Sequence, residues 1–438
     1  MIPLKAGSFR PAKMLIFELA TGEVSDLPTG RFPLDPKSHY DTAHVLVRLH
    51  ESPIGFFRLD IGDDFERRVH EEAWERFAGI IVDHAEHDGL SKPTSAADLP
   101  SLVGTSCQRT LPDGSDPGHP LVTVVIPTLK NLRRMIPCVD GVLNSRYRNI
   151  DVLVVNNDPE PGVIEQKLID EFAQDGRVRY VHEPRVGVSN ARNMAMEHAK
   201  GDIVIFADDD VVVDPNWIAS IVDVFLTRPE TACVTGPILA AEMETRAQHL
   251  LEQYGGFDKG FQQEIFDMAE HRRDEPMYPF DAGRFGSGAN MAFRLDVFRQ
   301  LGGFSTNLGP GTPTWGGEDI DLARRLVWSG HQLVYEPMAA VWHFHRRRWD
   351  DLTRTMYRYG VGLGAMLTNG FTESPRSAGF MLKAVPAGVA HVFSPNSRKN
   401  EKKTEAYPRQ LTVLELVGLA ISPIAYLRSR LKNTAKHG

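Results

Sequence analysis

The stretch from Gly201 to Pro215, G-D-I-V-I-F-A-D-D-D-V-V-V-D-P, constrains this chain more than any other. Its apolar run, Ile203 to Ala207, stops abruptly at Asp208, Asp209 and Asp210, and a second run, Val211 to Val213, follows. A short, continuous apolar run bounded in this way reads as a strand buried on both faces. In open α/β sheets, ligands bind beyond the carboxyl ends of such strands. Adjacent carboxylates repel one another, and burying them is costly unless a positive charge sits among them. A hard divalent cation takes oxygen ligands and often bridges to phosphates. The stretch therefore points to a metal–diphosphate site, and otherwise to a solvated acidic turn after a core strand.

Strands alternate with helices on either side of it. L-V-T-V-V-I-P-T, I-D-V-L-V-V-N-N-D-P and V-R-Y-V-H-E-P are strands, and Val163 to Gln174 and Ser189 to Lys200 are helices, with Ser189 as N-cap. The fold class is α/β, a doubly wound, mostly parallel sheet. Its strand ends bring Pro127, Thr128, Asn156, Asn157, Asp158 and the Glu183 to Gly187 turn to the edge that carries the aspartates.

At 438 residues the chain is too long for one ordinary core. Residues 1–90 are expected to form a small α+β module. His44 to His50 and Pro53 to Asp60 form a hairpin turning at Glu51-Ser52, and a helix runs from Phe65 to His84. Nothing in this module clusters into chemistry. Residues 91–120 read as a linker, 121–348 as the α/β domain (121–215 and 216–348 as its halves), and 349–438 as a helical region. The segment Glu242 to Arg273 has helical character, and Ser394 to Arg409 is charged and mobile.

A formal net charge of −8 argues against nucleic acid as a partner. Cys107, Cys138 and Cys233 are far apart, which fits a reducing, cytoplasmic compartment and supplies no zinc motif. No signal peptide is expected at the N-terminus. The longest apolar run, Leu411 to Leu427, is interrupted by Glu415 and Pro423. With the basic end at Arg428, Arg430, Lys432 and Lys436, this helix either lies on an anionic membrane surface as a peripheral anchor or packs on the body of the protein. Oligomeric state is not legible.

Two segments are more specific: E-P-R-V-G-V-S-N-A-R-N-M-A-M-E-H-A-K-G-D-I-V-I-F-A-D-D-D and W-G-G-E-D-I-D-L-A-R-R-L. In this order and separation, with Pro127-Thr128 upstream, the chain from Thr123 to Arg348 resembles family 2 glycosyltransferases, inverting enzymes of the GT-A fold. The resemblance implies a nucleotide-sugar donor and a hydroxyl acceptor on a carbohydrate, lipid-linked or other molecule. It also implies a Mn²⁺ or Mg²⁺ cofactor and a place in cell-envelope polysaccharide, glycolipid or glycoconjugate synthesis. Asp210 would bind the metal directly, with Asp208 and His343, while Asp208 and Asp209 hold ribose and metal-bound water. Asp319 matches the general base and Glu318 would orient the acceptor or Arg324; both could otherwise be simple charges at a helix start. Pro127, Thr128, Asn156 and Asp158 would cradle the nucleobase, although an aspartate is usual at Asn156. Arg185 and Arg192 would reach the base or diphosphate, and Gly288 would let the backbone approach the donor sugar. Trp315 is a candidate acceptor platform, and Arg346 and Arg348 would offset diphosphate charge. His343 is otherwise structural and the arginines otherwise a solvated patch. H-R-R-R-W is similar to the QxxRW motif of processive members, with His345 in place of Gln, which disfavours processive synthesis. Gly360 to Gly364 mark close helix packing.

Two other functions compete. A sugar nucleotidyltransferase would open with a Gly-rich loop, and V-V-I-P-T-L-K has no Gly. A silent carbohydrate-binding or scaffold protein would not need Asp208, Asp210 and Asp319.

Overall fold

The computed structural model describes residues 10–27, 40–160, 163–172, 174–254, 259–280, 283–394, 397, 400, 403 and 407–437. The first unit is a four-stranded sheet, β1 (Ala12–Glu18), β2 (Glu23–Asp26), β3 (Thr42–Leu49) and β4 (Ser52–Asp60), in the order β2-β1-β3-β4. Helix α1 (Phe65–His87) packs Val69, Ala73, Ile81 and Ala85 into its core. Two of these strands, β1 and β2, were not legible in the sequence. The β3–β4 turn is His50-Glu51, one residue earlier than Glu51-Ser52, and both residues have positive φ (51° and 65°). Two left-handed residues are what a two-residue hairpin loop needs to match strand twist. Within the stretch expected as a linker, a 3-10 turn (Ala96–Leu102) buries Leu99 and Leu102 in the same core.

The second unit begins with β5 (Val122–Thr128), α2 (Leu132–Leu143), β6 (Ile150–Asn156), α3 (Val163–Phe172) and β7 (Val178–His182). Helices α4 (Val188–Asn193) and α5 (Ala195–His198) follow, then β8 (Ile203–Ala207), β9 (Val211–Val213) and α6 (Trp217–Thr227). Gly187, not Ser189, caps α4; the Ser189 hydroxyl donates to Leu308 O at 2.9 Å. Next come β10 (Thr231–Thr235), β11 (Ile238–Ala240), α7 (Arg246–Gln253) and β12 (Glu264–Phe266). Only α7 is helical in the described part of Glu242 to Arg273; residues 255–258 lie outside the described residues. The domain closes with β13 (Asn290–Arg294), α8 (Leu295–Gln300), α9 (Glu318–Trp328), β14 (Gln332–Tyr335) and β15 (Val341–His343).

Its main sheet has the order β12-β14-β10-β13-β8-β5-β6-β7. The β7, β6, β5 and β8 strands are parallel, as their alternation with helices demands; the apolar runs of β5, β6 and β8 are buried between two layers, and β7 is a half-buried edge. β13 enters antiparallel between β8 and β10, and β12 is an antiparallel edge, so the sheet is mixed. A smaller sheet, β11-β15-β9, stands beside it. β9 continues the chain directly from the three aspartates, and Val211 on it pairs with His343 on β15.

The first unit docks on this smaller sheet. Arg48, buried, pairs with Asp214 just past β9 at 2.6 Å and lies over the Trp342 ring of β15. Glu51 accepts from both terminal nitrogens of Arg146 and from Asn216.

Three long helices finish the chain: α10 (Trp349–Glu373), α11 (Pro375–Phe393) and α12 (Arg409–His437). Most of Ser394 to Arg409, expected to be mobile, lies outside the described residues. α10 and α12 meet backbone to backbone, as the glycine pattern implied. A Cβ on Gly360 would stand 1.9 Å from Glu415 O. Replacing Gly360 with Leu forces the helices apart. The expected result is a loss of about 1–3 kcal/mol or more, read from denaturant unfolding of the full chain. An unchanged midpoint would show that the two helices do not pack this way.

Candidate active site

The C-terminal ends of β5 and β8 and the N-terminus of α9 face one cavity of about 1640 Å³. Its polar side holds Thr128, Asn131, Arg134, Asp208, Asp209, Asp210, Glu318, Asp319, His343 and Arg346. Leu363, Leu367, Val385, Val389, Leu416 and Leu419, from the three long helices, form an apolar side.

The three aspartates have different surroundings. Asp209 accepts from the Thr128 hydroxyl at 2.6 Å and from the Asn131 amide at 2.8 Å. Burial, with Asp210 and Asp208 beside it, nevertheless pushes its carboxyl up to about 7. Asp208 accepts from Arg192 at 2.7 Å. Asp210 is buried as well, which alone would raise its pKa. His343, with Nε2 3.2 Å from Asp210 Oδ1, and the charges of Arg346 and Arg134 outweigh that and hold it at about 2. Arg134, which sequence reasoning missed, also lies over the Phe344 ring. Its only signal was the basic pair Arg133-Arg134 at the start of the helix after the first strand.

His343 is oriented through a relay with no motif in the sequence. His345 Nε2 donates to Glu252 Oε1 at 2.6 Å, and the two histidines meet through their Nδ1 atoms at 3.2 Å. With the His345 proton on Nε2, its Nδ1 accepts, so His343 Nδ1–H is the donor. A neutral His343 then directs the Nε2 lone pair at Asp210. Burial opposes charge on this ring, yet Asp210 and Asp208 raise its pKa overall. A proton on Nε2 or a cation between the two side chains satisfies this geometry. An imidazole nitrogen and two carboxylates are donors suited to a divalent transition metal such as Mn²⁺, and the outer relay is the arrangement that fixes a ligating imidazole.

On the opposite wall, Asp319 Oδ2 accepts from Ser287 Oγ and from the Gly288 N–H, both at 2.9 Å. Its Oδ1 accepts from the Ile320 N–H. Glu318 is buried and pairs with Arg192 at 3.0 Å, not with Arg324. Burial, then the Asp319 charge, pushes Glu318 up to about 7. Arg324 is held by Asp321 and Glu373, and Asp321 also holds Arg325, a structural part.

Arg192 is 3% exposed and bridges Asp208 and Glu318. Each terminal nitrogen donates to one carboxylate, so Arg192 joins the two motifs, and it also lines the cavity. Gly288 makes room for it: a Cβ there would lie 2.6 Å from Arg192 Nη1. That close approach is to a side chain of the protein. Pro127 and Thr128 line the cavity. Asn156 and Asp158 do not; Asn156 donates to the Tyr180 hydroxyl, and Asn157 stands in the wall instead. Arg185 turns back onto Glu183, and Arg348 is exposed near Asp350, both outside the lining. Arg346 is in it. Trp315, 43% exposed, is at the rim with the Arg358 guanidinium 4.2 Å from its ring centre.

Residues 123–302 match the family model described as glycosyl transferase family 2, and residues 270–347 that described as the N-terminal domain of galactosyltransferase. The pre-mycofactocin glycosyltransferase of Mycobacterium tuberculosis is 28% identical over 251 residues, 56% of this chain and 47% of that protein. The glucosyl-dolichyl phosphate glucuronosyltransferase of Haloferax volcanii is 25% identical over 231 residues, 51% of this chain and 68% of that one. The chain thus spans about half the length of the first of these relatives. Among solved structures, a mannosyltransferase of Pyrobaculum calidifontis in complex with GDP-Man and Mn²⁺ aligns with a TM-score of 0.45 at 16% identity, over 72% of this chain and 91% of that one.

Proposed function

Because the chain carries a glycosyl transferase family 2 domain, we propose that it moves a sugar from a nucleoside-diphosphate donor to an acceptor hydroxyl, with inversion at the anomeric carbon. The observation that carries this reading is that Asp208 to Asp210 and Asp319, far apart in sequence, line one cavity. An acceptor hydroxyl is a weak nucleophile and must lose its proton as it attacks. Asp319 is the base: its carboxylate is fixed by Ser287 and Gly288, and it faces the cavity. Asp210, Asp208 and His343 would hold a divalent cation, which supplies Lewis-acid stabilisation of the leaving diphosphate. Arg134 and Arg346 add fixed positive charge on that side. Pro127, Thr128 and Asn157 bound the nucleotide end, and Trp315 the acceptor end.

A thermal-shift panel of nucleoside diphosphates with and without Mn²⁺ tests the donor half. Ligand at about 100 times its Kd stabilises the native state by about 2.7 kcal/mol. One base is expected to raise the Tm, and only when Mn²⁺ is present. Equal shifts with EDTA, or turnover unaffected by EDTA, would remove the metal from the mechanism.

The apolar side of the cavity favours an acceptor with a lipid part in glycolipid or cell-envelope synthesis. α12 exposes Val413, Val417, Ile421, Ile424, Leu427 and Leu431 along one stripe, and α11 exposes Leu382, Val385 and Val389. Arg409–Thr434 is long and apolar enough to cross a membrane by length and composition. Glu415 on α12, however, is buried and accepts from the Tyr254 hydroxyl, so that turn is committed to the protein. The stripe, with its basic end, fits the surface of an anionic bilayer. The full chain is expected to float with phosphatidylglycerol vesicles. Val417→Asp with Ile424→Asp should abolish flotation, and a doubly substituted chain that still floats would assign binding elsewhere.

A further inference from the structure

The N-terminal unit, in which the sequence showed no chemistry and no zinc motif, gathers four metal-ligating side chains. His50 is at the tip of the β3–β4 hairpin, His84 and Asp88 are at the end of α1, and Cys107 follows the 3-10 turn. Their ligand atoms all lie within 4.8 Å of one another. Asp88 Oδ2 is 2.7 Å from His50 Nδ1 and 3.1 Å from His84 Nε2, and the two nitrogens are 3.2 Å apart. Only the His84–Asp88 spacing, one helical turn, was visible in the sequence; the other two members are brought in by the tertiary fold.

Ordinary hydrogen bonds satisfy this cluster only in part: His50 Nδ1 and His84 Nε2 share one at 3.2 Å and the Cys107 thiol donates to Asp88 Oδ1 at 3.3 Å, which leaves Asp88 Oδ2 over. The Thr105 hydroxyl donates its one proton to Leu102 O, so it accepts from His50 Nε2–H at 2.9 Å. In a neutral His50 the Nδ1 lone pair then faces a carboxylate oxygen. That oxygen, Asp88 Oδ2, is buried and makes no properly directed hydrogen bond. The side chain of Asp88 is 0% exposed and that of His50 4%. Outside these groups the usual supports of a metal site are present. The Gln108 N–H donates to Asp88 Oδ1 at 3.0 Å, and the Arg109 N–H to Cys107 Sγ at 3.3 Å.

We propose that His50 Nδ1, His84 Nε2, Asp88 Oδ2 and Cys107 Sγ form a closed, structural Zn²⁺ site. Two imidazoles, a carboxylate and a thiolate match the donor types and number of such sites, whose bonds are about 2.0–2.3 Å. Tetrahedral ligand atoms then stand about 3.3–3.7 Å apart, so Asp88 Oδ2 and the two nitrogens need to part only slightly, and Cys107 Sγ lies within 4.8 Å of all three. On binding, the Cys107 thiol loses its proton to solvent. The ion ties the hairpin tip to α1 and to the segment leading into the second unit. Glu51, next to His50, grips Arg146 and Asn216, so the site also fixes the contact that docks the first unit beside β9.

The test uses the full chain carrying Asp210→Ala, so that the candidate active-site cation does not enter the count. Purified chain is incubated with ZnCl₂, desalted and assayed for metal. About one zinc per chain is expected, falling below about 0.1 with Asp88→Asn added. Loaded with CoCl₂ in place of zinc, the Asp210→Ala chain is expected to give the intense visible bands of tetrahedral cobalt and a thiolate charge-transfer band, the latter lost with Cys107→Ser. If the added substitutions prevent folding, zinc content and the cobalt spectrum of the Asp210→Ala chain still decide. No retained zinc, or an octahedral cobalt spectrum without a thiolate band, overturns the site. Neither readout depends on glycosyl transfer.

Discussion

Asp319→Asn is expected to cut turnover by about 10²–10⁴-fold, the contribution of a positioned general base, while donor binding survives. The substitution keeps the shape of the side chain. The Asn carbonyl can still accept from Ser287 and the Gly288 N–H, as Asp319 Oδ2 does. What is lost is the bond that Oδ1 accepts from the Ile320 N–H and the ability to take a proton. The measurement is kcat with a hydroxyl acceptor, beside a nucleotide-dependent thermal shift on the same protein. Near-normal kcat with an intact shift would assign the base elsewhere. Loss of both would mean that the site had been disturbed.

Arg192→Met is expected to produce the largest loss of stability. It removes the cation shared by Asp208 and Glu318 and leaves an apolar chain of similar length. Breaking a buried ion pair by deleting one partner costs about 3–5 kcal/mol. Glu318 gives that loss a pH dependence. Its carboxyl is already raised to about 7 by burial and by Asp319, against the pull of Arg192. Without Arg192 it rises further. A carboxyl raised in the folded state contributes stability below its unfolded pKa, and that contribution is lost as pH rises through the folded value. The Tm deficit of the variant should therefore be smaller near pH 6 than near pH 8. Thermal melts at both values check this, and a deficit that shrinks with rising pH would contradict the assignment of Glu318 as the buried, unneutralised group.

The two roles of Arg192 show where the sequence stops being informative. A-R-N beside the aspartate triplet marks the residue, but an exposed phosphate ligand and a buried bridge look identical in one dimension. The strands and the two acidic segments were legible because their signals are local: continuous apolar runs, then carboxylates at strand end and helix start. The relay from Glu252 through His345 to His343 was not, since its members lie on α7, at the end of β15 and just beyond it, and meet only in the folded domain. The same is true of His50 and Cys107. Nor does the sequence show that Gly288 makes room for the Arg192 side chain. The hairpin turn was displaced by one residue because His50 and Glu51 lack the Asn or Gly usual at positive φ.

The pairing of β9 with β15 also sets an order of assembly. Asp210 and His343 become neighbours only when the last strand of the domain adds to the first strand after the aspartates. Until then Asp210 lacks the imidazole, and the triplet has only the partners that precede β15: Arg192 at Asp208, Thr128 and Asn131 at Asp209, and Arg134 near Asp210. A chain leaving the ribosome therefore cannot complete the candidate cation site until β15 has been made. Release of a chain ending before His343 would leave the aspartates without the imidazole that faces them, however well the preceding sheet had formed.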